Sequence, residues 1–262
     1  MEKKLYFLGF IAVLFCMVTS MVWATDAVGE LEQGKALYGA NDFDTAITCF
    51  RNILTSYPGS EAGAEANYWL GFCYKGKNDT DKATAYFIKQ ATDFPLNYKT
   101  PRACMEVAGI YQEKEDYDNA LVWFNKVISK YPDNPIVMSA YLNVASYYRK
   151  QEKCIEAINT YKAGLASVPS GVSKDDYDLK CMKTELGYCY KDAKDWNSAI
   201  THYQNLIREY PSEAEEYMFE IADCYFNLQD YDKATAIYQE LTTTGSPSVV
   251  MRAWFYYGWC YQ

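Results

Sequence analysis

The sequence predicts an all-α fold of stacked antiparallel helix pairs, because two independent markers recur along the chain with one period. The first marker is an alanine that follows an acidic segment, as in "DFDTAITCF" at Asp42 and "DYDKATAIY" at Asp230. The second marker is a proline that follows an aromatic or apolar residue, as in Tyr57-Pro58. Self-similarity of this kind is typical of repeat proteins, in which each unit packs mainly against its neighbours.

Both markers define the length of the repeating unit. Successive marker alanines are separated by 37, 37, 37, 42 and 35 residues, and they lie at Ala46, Ala83, Ala120, Ala157, Ala199 and Ala234. The marker prolines keep a matching spacing, at Pro58, Pro95, Pro132, Pro169 and Pro211. Agreement between two markers is hard to obtain by chance, so the period identifies the structural unit.

Each unit has the side-chain pattern of a helical hairpin. A small residue stands twelve positions before each marker alanine, at Gly34, Gly71, Ala108, Ala145, Gly187 and Ala222. A ring stands four positions after each alanine, at Phe50, Phe87, Phe124, Tyr161, Tyr203 and Tyr238. Spacings of three and four place residues on one face of a helix. The small residues therefore let two helix backbones approach closely, while the rings fill the space beside that contact.

Residues at the turns predict where the second helix of each pair begins and ends. An aspartate precedes it in most units, where a carboxylate accepts hydrogen bonds from free backbone amides. The marker proline ends it, because proline forces the preceding residue out of the helical region. The pattern is broken at Thr80, Cys154, Gln90 and Gly164. An insertion of about five residues within Pro169–Asp178 is expected to loosen the array.

The repeat resembles the tetratricopeptide repeat family, whose pattern is a small residue, a tyrosine three positions later, an alanine, a Phe or Tyr, and then a proline. The stretches "YWLGFCYKGKNDTDKATAYF" and "MFEIADCYFNLQDYDKATAIY" follow it closely, and the resemblance covers residues 27–262. It implies a right-handed superhelical solenoid of about six full repeats plus a half repeat. It also implies a binding function, although the family carries many unrelated binding roles.

The last residues, "WFYYGWCYQ", match the first helix of a seventh unit. Gly258 and Tyr261 occupy the places of Gly71 and Tyr74, and no second helix follows them. Terminal repeats of such arrays normally carry a polar capping helix. We therefore expect the solenoid of residues 25–262 to continue beyond this chain, with docking of the end on a partner as the alternative.

Residues 1–24 have the composition of an export signal. Lys3 and Lys4 form a basic start, Leu5–Val18 is apolar, and "VWA" at Val22–Ala24 offers a signal-peptidase site. The alternative is an uncleaved anchor, because the apolar stretch approaches the length that spans a bilayer. The chain is thus expected to be exported and periplasmic, or anchored in the inner membrane and facing the periplasm.

Composition argues against several function classes. The chain has a single histidine, His202, and a formal charge of −9, which becomes −10 when two Lys and one Glu are removed with residues 1–24. An acidic surface disfavours binding to nucleic acid and to anionic lipids. No phosphate-binding glycine loop or nucleophile elbow is present. We therefore expect no catalytic residue, metal, cofactor or small-molecule substrate, and membrane contact only through an uncleaved N-terminal segment.

Four cysteines occupy the same place in their units, one residue before the packing tyrosine, at Cys73, Cys189, Cys224 and Cys260. Equivalent residues of adjacent repeats lie about a helix diameter apart, which exceeds the Cα separation of a disulfide. These cysteines are expected to be small buried apolar residues. The cysteines at 49, 104, 154 and 181 are scattered and leave room for one pair.

The family resemblance implies that the first helices line a concave face along which peptides bind. Transferred by register, the predicted peptide-binding residues are Tyr68, Trp69, Phe72, Lys75, Met105, Asn143, Arg149, Tyr188, Lys191, Phe219 and Asn227. Aromatic rings beside isolated cations suit a peptide with acidic side chains or a free carboxylate. The alternative is that Trp69 and Phe72 merely cover the neighbouring unit.

The sequence thus predicts a non-enzymatic, exported scaffold that binds a protein or peptide partner. The marker pattern and "AEANYWLGFCY" also resemble bacterial periplasmic tetratricopeptide proteins that act in envelope division or outer-membrane assembly. A second hypothesis makes the array the N-terminal interaction domain of a larger enzyme or signalling protein that is truncated at this point.

Overall fold

The computed structural model describes residues 26–260, and this part of the chain contains thirteen α-helices and no β-strand. The predicted export signal and Tyr261 lie outside the described residues. The helices are α1 (26–39), α2 (Phe43–Ser56), α3 (Glu61–Gly76), α4 (Thr80–Asp93), α5 (Thr100–Glu113), α6 (Tyr117–Lys130), α7 (Val137–Lys150), α8 (Cys154–Ala166), α9 (Tyr177–Asp192), α10 (Trp196–Glu209), α11 (Ala214–Asn227), α12 (Tyr231–Thr244) and α13 (Pro247–Trp259). Odd-numbered helices are the predicted first helices, so the all-α repeat fold is confirmed.

The described residues form two compact units, 26–127 and 128–260. In the first unit, α3 packs between α2 and α4, and α4 packs against α5. In the second unit, each helix from α7 to α13 packs against the next. First helices also contact each other there, α7 with α9 and α11 with α13. Each unit is therefore built by stacking helix pairs.

The predicted size complementarity forms the interior of each pair. A Cβ atom added at Gly71 would lie 2.5 Å from Cε1 of Phe87, and one at Gly187 would lie 2.6 Å from Cε1 of Tyr203. Both rings are fully buried. No larger residue fits at these two glycines unless the ring moves, which explains why small residues keep the period.

The turn between the two helices of a pair has one backbone conformation in all six complete pairs. One non-glycine residue with a φ of 57–62° stands in each turn, at Asn41, Asn78, Glu115, Glu152, Lys194 and Gln229. The next amide donates to a carbonyl five residues back, as from Asp79 to Tyr74 at 2.9 Å. This bond and the left-handed residue are the features of a Schellman motif, which satisfies the carbonyls at a helix end.

Aspartates cap five of the six second helices, as predicted. Each accepts a hydrogen bond from the amide three residues later, at Asp42, Asp79, Asp116, Asp195 and Asp230. Lys153 takes this position before α8, where no side-chain cap forms. The marker prolines also behave as predicted, because α2 ends at Ser56, two residues before Pro58.

The irregular residues have specific structural roles. Gln90 is fully buried, and its amide donates to Asn97 and Thr100, which ties α4 to the following turn. A Cβ atom at Gly164 would lie 2.8 Å from Cγ of Tyr141. The inserted loop is held where the Tyr210 hydroxyl donates to the Lys174 carbonyl at 2.8 Å. Helix α9 still packs against α7 and α8, so the expected loosening is wrong within this unit.

Candidate functional site

The first helices of the first unit carry a cluster of partly exposed rings, Tyr38, Tyr68, Trp69 and Phe72, which we call the aromatic face. The centroid of Trp69 lies 5.1 Å from that of Tyr38, and the centroid of Tyr68 lies 4.9 Å from that of Phe72. Phe72 also packs edge-on against the buried Phe87 at 5.1 Å. The rings therefore cover the neighbouring helix pair and still present edges to solvent. Trp69 packs on its neighbours, and it also remains partly accessible to a peptide.

A lysine lies over this face. The Lys99 ammonium is 5.1 Å from the ring centroid of Tyr68, 5.6 Å from that of Trp69 and 4.9 Å from that of Tyr98. These distances are within the range of cation–π attraction. The side chain of Lys99 is only 18% exposed. Lys99 and Tyr98 were not among the residues predicted from sequence.

Glu65 lies beside these rings and is 8% exposed. Its carboxylate accepts a hydrogen bond from the Tyr98 hydroxyl at 2.9 Å, and it is 3.1 Å from the Lys35 ammonium and 3.6 Å from that of Lys99. Burial acts to raise the pKa of Glu65, but the hydrogen bonds from Lys35 and Tyr98 and the charge of Lys99 outweigh burial and lower this pKa. Glu65 therefore remains an anion at neutral pH.

Three predicted binding cations are already paired within the protein. Lys75 donates to Glu106 at 2.7 Å, and Arg149 contacts Glu185 and Asp192. Lys191 contacts both acidic residues of the neighbouring first helix, Glu220 and Asp223. In each case the last turn of one first helix meets the middle of the next one, and Arg149 also reaches Asp192 at the end of α9. These cations stabilise helix register, and none of them is left free for an acidic peptide in this structure.

The pairing also fixes the charge state of two of these groups. Burial acts to lower the pKa of Arg149 and of Lys191, but the hydrogen bonds and charges of their carboxylate partners raise both pKa values above the ordinary ones. Both side chains therefore carry their positive charge at neutral pH. Neither can act as a proton donor or acceptor near neutrality.

Phe219 is 4% exposed and does not lie on the surface, so its predicted accessibility is wrong. Its ring packs against Tyr238 and Tyr256, and the guanidinium carbon of Arg252 lies 3.9 Å from its centroid. The cause is the stacking of α13 on α11, which brings Arg252 over the ring. Phe219 is a core residue of the second unit.

The remaining predicted residues are at least partly accessible. Met105 and Tyr188 are partly exposed, and the guanidinium of Arg149 lies 5.4 Å from the ring centroid of Tyr188. The amides of Asn143 and Asn227 donate to carbonyls within their own helices, at 2.7 and 2.8 Å. Their role in binding stays a prediction.

Sequence profiles of the tetratricopeptide repeat match residues 31–93, 101–134 and 184–249, which together are more than half of the chain. The chain belongs to the tetratricopeptide repeat family. The capped hairpins and the ring-over-glycine contacts described above are therefore those of tetratricopeptide repeat (TPR) units. A comparison with curated protein sequences finds no match.

Several solved TPR structures are similar to this TPR chain. The C-terminal part of a TPR repeat-containing protein from Cytophaga hutchinsonii has a TM-score of 0.65 at 15% identity, over 88% of this chain and 87% of that one. A TPR protein from Parabacteroides merdae gives 0.53 at 15% identity, over 84% and 80%. Pseudomonas aeruginosa PilF gives 0.52 at 14% identity, over 86% and 95%. At these identities the likeness concerns the fold alone.

His202 is a packed residue of the second TPR unit. Its Nε2–H donates to the carbonyl of Lys183 at 2.7 Å, and burial lowers the pKa of the imidazole. The ring lines a shallow polar cleft together with Tyr190, Asn197, Ser198, Thr201 and Asn205. Among residues 26–260, no three His, Cys, Asp or Glu side chains come together in a group suited to a metal ion.

Three of the in-register cysteines of the TPR units are buried thiols. Cys73, Cys189 and Cys224 are fully buried, and burial raises the pKa of each thiol to about 12. All eight cysteines between residues 26 and 260 are free thiols. Three of the four in-register cysteines are therefore buried in place of alanine, as predicted, while Cys260 is partly exposed.

Helix α13 carries the exposed side chains Trp254, Phe255 and Trp259, each 54–59% exposed. A Cβ atom at Gly258 would meet nothing within 4 Å, whereas the equivalent Gly71 is covered by Phe87. No helix within the described part of the chain combines the length and the hydropathy that a membrane span requires.

Proposed function

We propose that this TPR chain is an exported scaffold that binds a partner protein through the aromatic face of its first unit. TPR repeats serve as protein-interaction scaffolds, and the aromatic face supplies rings of the kind that dominate protein interfaces. The observation that carries the proposal is the cluster of Tyr38, Tyr68, Trp69 and Phe72. Its members contact each other across two first helices and stay partly exposed.

The charges of the first helices support an interface of this kind. Because Lys75, Arg149 and Lys191 are neutralised by their neighbours, the free energy for recognising an acidic peptide is reduced. Rings that are held by packing lose little conformational entropy when a partner covers them. The proposed interface is therefore formed mainly by the aromatic rings of the first unit.

The place of action that we propose is the cell envelope, in assembly or division. The basic start, apolar run and cleavage-type residues of 1–24 support export. Expression of the full chain in a bacterial host, followed by cell fractionation and intact-mass measurement, tests it. A periplasmic chain that begins at Thr25 is expected, and a cytoplasmic chain that retains Met1 would contradict export.

Photo-crosslinking in an envelope fraction tests the binding surface. A photoreactive residue at position 105, on the first helix that follows α3, should crosslink a partner in the wild-type background and lose it with Tyr68→Ala or Trp69→Ala. Tyr177→Ala is the matched control, because Tyr177 is 77% exposed and lies in the second unit. Circular dichroism confirms that each variant is folded. Equal crosslinking by all folded variants would reject the aromatic face as the binding surface.

A further inference from the structure

Lys99 occupies an enclosure that the protein builds around its ammonium group. Tyr68, Trp69 and Tyr98 surround the charge at 4.9–5.6 Å, and Glu65 supplies a carboxylate at 3.6 Å. We call Tyr68, Trp69, Tyr98 and Glu65 the cation cage. Aromatic faces and a carboxylate are the groups that proteins use to recognise a cationic side chain.

Local structure does not account for a lysine at this place. Lys99 is the N-cap residue of α5, where its side chain makes no capping hydrogen bond. The positive end of a helix dipole disfavours a cation there and favours acidic or neutral acceptors. The N-cap residues of α9 and α11 in the second unit are acidic, Asp176 and Glu213. The cage, and not the helix end, therefore explains the position of the Lys99 ammonium.

The side chain of Lys99 can leave without dismantling the cage. The turn before α5 is held without the Lys99 side chain, because the Lys99 amide donates to the Asn97 side chain at 3.0 Å and the Thr100 hydroxyl donates to the Phe94 carbonyl at 2.6 Å. Tyr98 is 61% exposed and borders the opening to solvent. Only the flexible lysine side chain has to move for the cage to open.

We infer that the cation cage is a recognition site for a lysine or arginine side chain of the partner protein, and that Lys99 occupies it as an internal substitute in the free chain. The inference rests on the proposed function and specifies the partner's chemistry. Charge complementarity favours a basic partner, because the chain carries a formal charge of −9 and Lys75, Arg149 and Lys191 on its first helices are paired.

Calorimetric titration of residues 25–262 with an acetylated and amidated tetralysine peptide tests the inference. Replacing Lys99 by alanine removes the internal competitor, so tetralysine should bind at least about fivefold more tightly than to wild type. Lys35→Ala is the matched control, because Lys35 also pairs with Glu65 and does not lie over the three rings. It should change the affinity by less than twofold.

Further variants and control ligands distinguish recognition by the cation cage from simple charge attraction. Trp69→Leu or Glu65→Gln in the Lys99→Ala background should reverse the gain, and a tetraglutamate peptide should not bind. The Trp69 indole N–H resonance should shift on addition of tetralysine to the Lys99→Ala chain. An equal gain in Lys35→Ala, an unchanged indole resonance, or equally tight binding of the free polyamine spermidine would each overturn the inference.

The two proposals fail in distinguishable ways. Crosslinking that depends on Trp69, together with no gain in tetralysine affinity in Lys99→Ala, retains the scaffold and rejects the cation cage. Binding of tetralysine in Lys99→Ala without any Trp69-dependent crosslink rejects the proposed function and, with it, the partner that the cage is inferred to recognise.

Discussion

Neighbouring first helices meet through rings between α1 and α3 and through ion pairs elsewhere in the chain. Tyr38 in the last turn of α1 contacts Trp69 in the middle of α3 through their rings. The same two places are taken by Lys75 with Glu106 between α3 and α5, and in the second unit by Arg149 with Glu185 and by Lys191 with Glu220. The repeat fixes where two residues meet, and the residue types decide whether the contact is aromatic or ionic.

The difference has consequences for function. Aromatic contacts contribute about 0.5–1.5 kcal/mol beyond burial and leave rings that a partner can cover. Ion pairs between partly exposed groups contribute little net stability, but they disfavour any register in which a charge loses its partner. The aromatic contact therefore suits binding, whereas the ionic contacts suit alignment of neighbouring helix pairs.

The largest effect is expected when a substitution removes the ionic contact between α9 and α11 in the second unit. Lys191→Met leaves the side chains of Glu220 and Asp223, 11% and 23% exposed, without their main cation, and Glu220 keeps only Arg252 at 3.9 Å. Loss of one partner of a fully buried pair costs about 3–5 kcal/mol of unfolding free energy, so we expect about 3 kcal/mol for this mostly buried group. Lys75→Met is the matched control, because Glu106 keeps Arg102. Urea unfolding of both variants checks this, and equal losses would contradict the role assigned to Lys191.

A glycine that packs against a buried ring occurs in both units, and substitution of this glycine should have an equal effect on stability in each. Gly71→Ala and Gly187→Ala each bring a methyl group against a buried ring and should lower the unfolding free energy by about 1–3 kcal/mol. Gly258→Ala should instead raise it, by at most about 1 kcal/mol, because nothing lies within 4 Å of the added carbon. Thermal unfolding measures the three variants. A stabilising Gly71→Ala would contradict the close-packing argument.

His202, in the second unit, makes the stability depend on pH near neutrality. The pKa of His202 is lowered below 6.5, so the folded state binds this proton less readily than the unfolded state. The contribution of neutral His202 is complete above pH 6.5 and is lost as the pH falls through the lower folded-state pKa. The slope is at most about 1.4 kcal/mol per pH unit. His202→Gln should flatten the stability profile between pH 7 and 5, and an unchanged profile would exclude this titration.

The smallest expected effect concerns helix α8, which lacks the cap of the other second helices. Lys153→Asp should raise the unfolding free energy by about 0.5–1 kcal/mol, because the new carboxylate can accept the free amide three residues later. The corresponding removal of a cap is Asp79→Ala, which should lower the unfolding free energy by about 1 kcal/mol. Chemical denaturation resolves both changes. A destabilising Lys153→Asp would show that another contact of Lys153 matters more.

Much of the fold follows from the sequence, because its signals are local. Marker alanines, rings and prolines each act within one helix pair, so Gly71 opposite Phe87 and the helix end before Pro58 are predictable. The left-handed turn residue is not, since Asn, Glu, Lys and Gln all fill it. Their common backbone comes from the Schellman hydrogen bonds and not from a residue type.

The candidate site is less predictable, because it depends on contacts between neighbouring pairs. Register places Trp69 and Lys75 correctly on a first helix, yet it does not reveal that Lys75 meets Glu106. The burial of Phe219 likewise requires the position of Arg252, 33 residues later in sequence. Lys99 lies in a turn outside the repeat pattern, and only the adjacent tyrosine of "NYK" hints at a cation–π contact.

The most direct measurement is the affinity of the crosslinked partner for Trp69→Ala and for Tyr188→Ala, determined side by side. Trp69 belongs to the aromatic face of the first unit, and Tyr188 lies on a first helix of the second unit beside the paired Arg149. Trp69→Ala should weaken binding by at least about tenfold, as expected for an aromatic residue central to an interface. Tyr188→Ala should weaken it by less than about twofold. Equal losses, or a larger loss at Tyr188, would contradict binding through the first unit.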